Sequence, residues 1–144
     1  MLRAGAAATS QNAARKVRYL IDAHSVELNG LPHVKTAAKM FGKMSYEKGL
    51  DAAFIVAGWD PYEGSGVFNI SMGGSCVERD WTMSGSGSGY IFGFCDSNYK
   101  VHWRIIQPNM SYEEAREFCI KAISLAQARD GSSGGAIRLM RITK

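Results

Sequence analysis

A chain of 144 residues, 46% hydrophobic and 21% charged, has the size and composition of one soluble globular domain. No apolar run approaches the roughly 20 residues of a membrane span, and Met1-Leu2-Arg3-Ala4-Gly5 lacks the apolar core of a secretory signal, so an intracellular protein is expected. The net charge of +4 is modest, and its densest cluster, Arg15-Lys16-Val17-Arg18, lacks the aromatic platform of a single-strand binder and reads as a solvated helix face.

From Ala6 to about Leu28, Ala14, Val17, Ile21 and His24 recur at helical spacing, with Ala13 and Leu20 widening the apolar face. Asn29-Gly30 and Pro32 close that helix. A second helix is expected from about His33 to Lys48, with Val34, Ala37, Ala38, Phe41, Met44 and Lys48 on one side, packed beside the first. At Asp51 the period changes. Ala52 to Ala57 is a continuous apolar run of the kind buried on both faces of a sheet. The turn formers of Gly58 to Gly66 separate it from a second strand, Val67 to Met72, and Gly73-Gly74 leads into a third, Ser75 to Met83. Three antiparallel strands in a meander are expected.

Ser84-Gly85-Ser86-Gly87-Ser88-Gly89 has linker composition, but strongly apolar segments flank it, so an exposed backbone turn into a short helix over Tyr90 to Phe94 is expected. Val101 to Asn109 reads as a loop whose Trp103, Ile105 and Ile106 cover a core or meet a partner. Ser111-Tyr112-Glu113-Glu114 is a capping box, and Ala115, Phe118, Cys119, Ala122, Ile123 and Ala126 form the apolar face of the helix it opens. Arg129-Asp130-Gly131-Ser132-Ser133-Gly134-Gly135 stops that helix, its three glycines suited to positive φ, and Ala136 to Thr143 is expected as a last strand. Helices segregated from antiparallel strands give an α+β class.

Cys76, Cys95 and Cys119 are odd in number and widely spaced, and His24, His33 and His102 show no ligand spacing, so neither a disulfide framework nor a metal site is expected. The candidate chemistry gathers on the two glycine-rich turns, which carry Ser86, Asp130 and Ser133. No His sits in a nucleophile motif, and no Lys follows the turn as in a phosphate-binding loop. These residues look like supports for a group that comes from elsewhere.

Ala57-Gly58-Trp59-Asp60, Met72-Gly73-Gly74, Gly85-Ser86-Gly87-Ser88 with Tyr90, Asp96-Ser97-Asn98-Tyr99 and Arg129 to Gly135 stand in an order that resembles proteasome beta subunits over essentially the whole chain. The first helix, ending His24-Ser25-Val26-Glu27-Leu28-Asn29, and the Gly-Ser-Ser-Gly-Gly run resemble most the catalytic member with caspase-like specificity. The resemblance implies a four-layer αββα sandwich of the N-terminal nucleophile hydrolase type and a threonine-type endopeptidase cutting after acidic residues. Other implications are stacked heptameric rings of alpha and beta subunits, polypeptide substrates, a cytoplasmic and nuclear location, and no cofactor, nucleic acid or membrane.

It further implies that Ser86, Asp130 and Ser133 surround the nucleophile and its amine, that the Gly5 amide stabilises the oxyanion, and that Arg3 receives the acidic substrate side chain. Thr9, Thr36, Thr82 and Thr143 are internal, and no early strand supplies the family's Lys and Asp. Residues 1–144 are therefore expected to be a single, N-terminally incomplete beta-subunit domain lacking the first strands. A non-catalytic structural ring subunit is the alternative, and a small α+β anion-binding domain is a third reading.

Overall fold

The computed structural model describes residues 1–99 and 110–143. The expected loop from Val101 to Asn109 thus lies outside the described residues. The fold resolves into two compact units, Met1–Gly85 with the chain end from Ile142, and Ser86–Arg141.

The first unit is an antiparallel sheet under two helices. Strand β1 is Leu2–Gly5, β2 is Ala52–Asp60, β3 is Gly64–Ile70 and β4 is Cys76–Glu78, in spatial order β1-β2-β3-β4. The expected meander is β2-β3-β4, and β1 joins its other side, pairing Leu2 with Ile55 and Gly5 with Ala52. Leu2–Gly5 carries no strand signal in the sequence, because four residues hold too little alternation to register.

Helix α1, Ala7–Leu28, ends at Asn29 in the left-handed conformation (φ 49°), with the amides of Asn29 and Gly30 bonded back to Val26 and Ser25 carbonyls. Helix α2 is Val34–Lys48, closed by left-handed Gly49. Their inward faces meet one face of the sheet, where residues alternate with period two. Ala52, Phe54 and Val56 of β2 and Phe68 and Ile70 of β3 form one core with Ala13, Val17, Ala38 and Phe41. Phe54 stands opposite Ile70 and Val56 opposite Phe68, so cross-strand pairs supply the layer onto which Phe41 packs, its ring 4.7 Å from that of Phe54. Leu20, expected on the buried face of α1, is exposed instead; Ala13 and Val17, with half-buried Ile21, make the contact with the core.

Two expected boundaries move for one reason. Gly58 to Gly66, expected as a turn, belongs mostly to the sheet: β2 and β3 run on until only Pro61 to Glu63 connect them, and Gly58 pairs with Gly66 inside the ladder. A Cβ at Gly58 would lie 2.8 Å from Val34 Cγ2, and one at Gly66 2.8 Å from the Phe68 ring. These are strand glycines that admit neighbouring side chains. The third strand, in turn, is shorter than Ser75 to Met83.

The second unit is a helix pair. Helix α3, Ser88–Asn98, outruns the Tyr90 to Phe94 segment at both ends, and helix α4 is Tyr112–Arg129. Ile91 and Cys95, four residues apart, are buried with Ala122 and Ala126, and Phe94 stacks on Phe118 at 5.6 Å. The capping box is complete: Glu114 N donates to Ser111 Oγ (3.3 Å) and Ser111 N to Glu114 Oε2 (2.8 Å). Ala136 to Thr143, expected as a strand, forms no ladder among the described residues. Gln127 Nε2 donates to the Gly135 carbonyl (3.0 Å), and the Arg141 guanidinium lies 4.3 Å from the centroid of the Tyr112 ring. These two side chains hold the segment to α4 at points 15 helical residues apart, about 22 Å along the helix axis.

Helices on one face of an antiparallel sheet make the class α+β, as expected.

Candidate functional site

Asp130 caps α4, its amide bonded to the Ala126 carbonyl at 2.8 Å, and the chain turns at once so that Ser133 N reaches the Asp130 carbonyl (3.1 Å). The turn folds the side chains together. Ser133 Oγ donates to Asp130 Oδ2 at 2.6 Å, Ser86 Oγ donates to the same oxygen at 2.7 Å, and Ser132 N approaches Oδ1 at 3.4 Å. Ser86, Asp130 and Ser133, singled out on two turns 44 residues apart in sequence, therefore form one cluster.

Gly87 makes this convergence sterically feasible. A Cβ there would sit 2.9 Å from Ser133 Oγ, 3.1 Å from Ala126 Cβ and 3.3 Å from Asp130 Oδ2. The start of α3 thus lies against the end of α4 only because residue 87 has no side chain. Of the three glycines in the turn after α4, Gly135 alone takes positive φ (79°); Gly131 and Gly134 do not, contrary to expectation. Their lack of a side chain is not required there for backbone conformation.

The electrostatics are those of a fixed anion. The hydroxyls of Ser133 and then Ser86 hold the Asp130 carboxyl below the usual carboxylate range, against the opposing effect of burial, with the Ser132 amide assisting. Such a group is a poor proton acceptor at neutral pH. Each hydroxyl spends its single proton on Asp130 and keeps oxygen lone pairs outward. The cluster is a rigid set of acceptors around a negative charge, suited to a protonated amine or a hydroxyl. No metal-binding group of three His, Cys, Asp or Glu occurs among the described residues. Burial pushes the thiols of Cys76, Cys95 and Cys119 up, the reverse of what a thiolate nucleophile needs.

Arg3 and Gly5 lie in the first unit, two positions apart and so on one face of β1. Gly5 has φ +94°, and a Cβ there would approach the Asp51 carbonyl oxygen to 2.7 Å, beside the bond from Ala6 N to that oxygen (2.9 Å). The guanidinium-bearing residue 3 is exposed.

A family model described as "Proteasome subunit" matches residues 1–142. The chain belongs to the proteasome subunit family. Among curated proteins it is 46% identical to "Proteasome subunit beta type-6" of Dictyostelium discoideum over 99% of this chain and 64% of that relative. It is 39% identical to the protein of the same name in Arabidopsis thaliana, over 97% of this chain and 58% of the relative. Against "Proteasome subunit beta type-9" of Mus musculus bactrianus the identity is 44%, over 96% and 61%. The resemblance to proteasome beta subunits is borne out, and the chain spans about three fifths of the length of these relatives.

Two further positions in this proteasome-family chain do work that sequence reasoning did not assign. Asp60, in the Ala57-Gly58-Trp59-Asp60 motif, is buried; its Oδ1 accepts from Glu63 N (2.8 Å) and Tyr62 N (2.9 Å), and its Oδ2 from Val34 N (2.9 Å). The Glu63 amide foremost, then that of Val34, lowers its pKa. One carboxylate thus closes the β2–β3 hairpin and caps α2. The signal for the hairpin was an Asp directly before Pro61; the bond to Val34 N spans 26 residues and leaves no local mark. In Met72-Gly73-Gly74, Gly74 has φ +83° and meets α2 at its own glycine: a Cβ on Gly74 would fall 2.5 Å from the Gly42 carbonyl oxygen, and one on Gly42 2.8 Å from that of Gly74.

Proposed function

We propose that the protein is a beta subunit of the 20S proteasome core particle, assembling with other alpha and beta subunits in stacked heptameric rings and acting on polypeptides in the cytoplasm and nucleus. The family match over nearly the whole chain, with curated relatives named as beta subunits, carries this reading. Within it the fold is the four-layer αββα sandwich of the N-terminal nucleophile hydrolases, and the activity is that of a threonine-type endopeptidase cutting after acidic residues.

The acceptor cluster supports a specific role. An amino-terminal threonine has an α-amine and a hydroxyl, both donors, and its amine must be held while it takes up the hydroxyl proton. Ser86 and Ser133, fixed by ionised Asp130, offer the acceptors for that amine. In this reading the Gly5 amide stabilises the oxyanion, and Arg3 pairs with the substrate carboxylate.

The test joins mass, N-terminal sequence and peptidase assay on the native subunit, using fluorogenic peptides that end in Glu or Asp. A mature N-terminal threonine together with cleavage is expected. A native mass equal to residues 1–144 with no cleavage refutes the enzyme and leaves a structural ring subunit.

A further inference from the structure

All of the net charge sits on α1 and α2: the two helices carry seven basic and three acidic side chains, while the rest of the sequence balances ten against ten. Between them runs an open groove of about 440 Å³, within the roughly 300–1,000 Å³ of ligand-binding clefts. Its floor is Ala13, Met44 and Leu50, buried or half-buried, and Lys16, Lys48 and Asn12 stand exposed around it. No acidic residue lines it. Lys43 pairs with Glu47 at 3.8 Å, whereas neither Lys16 nor Lys48 forms an ion pair among the described residues. Lys48 in part offsets the negative end of its own helix; Lys16 lies in the interior of α1, where no such end exists.

We propose that this groove docks an acidic amphipathic segment of a partner protein, with carboxylates on Lys16 and Lys48 and an apolar side chain on Ala13, Met44 and Leu50. Charge complementarity selects the acidic character. The apolar floor selects a polypeptide over a phosphate polyanion, which would leave it unfilled, and the lining holds no aromatic ring on which bases stack. The inference does not rest on the role given to Ser86, Asp130 and Ser133.

The test is fluorescence anisotropy with the full chain and a short labelled peptide carrying Leu and Glu at helical spacing. Binding is expected to weaken about tenfold or more in the K16E/K48E double variant, and measurably in K16Q/K48Q, the milder pair that retains the fold should the reversal disturb it. It should also weaken when Gln replaces Glu or Ser replaces Leu in the peptide, and when salt rises toward about 1 M, where screening acts within about 3 Å. Failure of the peptide to bind, equal binding by the Gln peptide, unchanged affinity in both lysine variants, or preference for a single-stranded oligonucleotide would overturn the proposal.

Discussion

Asp130 shows how one carboxylate organises two distant turns. Its Oδ2 accepts hydrogen bonds from the hydroxyls of both Ser86 and Ser133, so the negative charge is what keeps each hydroxyl pointing inward. Because these bonds hold the folded-state pKa below the unfolded value of about 3.9, the unfolded chain binds the proton first on acidification. Asp130 therefore adds stability that is fully present above the unfolded value and is lost as pH falls through the folded one. Asp130→Asn, which keeps the shape and removes the charge, should lower the urea midpoint at pH 7 and flatten the acid limb of midpoint against pH. An Asp130→Asn variant with the same acid limb as the parent would contradict this account. The cluster was partly legible in sequence: two glycine-rich turns with hydroxyls and a carboxylate announce a polar junction. Gly87 was not, because a glycine among five small residues looks like flexibility until Ser133, Ala126 and Asp130 are seen within 3.3 Å of its absent Cβ.

At the scale of elements, periodicity read well where helices were long and amphipathic, and badly where glycines stood in strands or an expected strand formed no ladder among the described residues. The ends of α1 and α2 and the start of α4 follow from Asn29, Gly49 and the Ser111 box, all local signals, whereas the start of α2 is capped by Asp60 from 26 residues away. The 136–143 segment reads as a strand because a largely apolar run follows a glycine-rich turn, but a strand exists only where another backbone pairs with it, and that information is not local. Two predictions belong here. Ser111→Ala removes the acceptor for Glu114 N and should cost about 1 kcal/mol in chemical denaturation, read from the α4 signal. Gly74→Ala should cost more, about 1–3 kcal/mol, since the methyl meets the Gly42 carbonyl oxygen and the Tyr46 amide nitrogen and Cβ at a φ that L-residues avoid. Gly73→Ala, at the preceding residue with open space around its Cβ and no positive φ, is the matched control and should be near neutral. Equal losses at residues 73 and 74 would rule out the close approach to α2 as the cause.

For the whole molecule, family membership was legible because several short motifs kept their order, although each one separately has a local structural reading: Asp60 is a cap, Gly74 is room for a helix, Asp130 ends another. The distribution of buried surface is definite within each unit. The first unit packs Phe54, Phe68 and Ile70 of the sheet beneath two helices, with Phe41 of α2 against them, and β2 is paired on both sides. The second buries Ile91, Cys95, Ala122 and Ala126, side chains that remove far less apolar area from water. Local opening follows that difference. In native-state hydrogen exchange, the amides of β2 from Phe54 to Val56 should be the slowest in the chain, and those of α3 should exchange earlier. Phe54→Ala, which removes a ring at 0% exposure against Phe41, should cost about 3–5 kcal/mol and accelerate β2 exchange in proportion. Amides of α3 protected as strongly as those of β2 would mean that buried area is not what sets stability here.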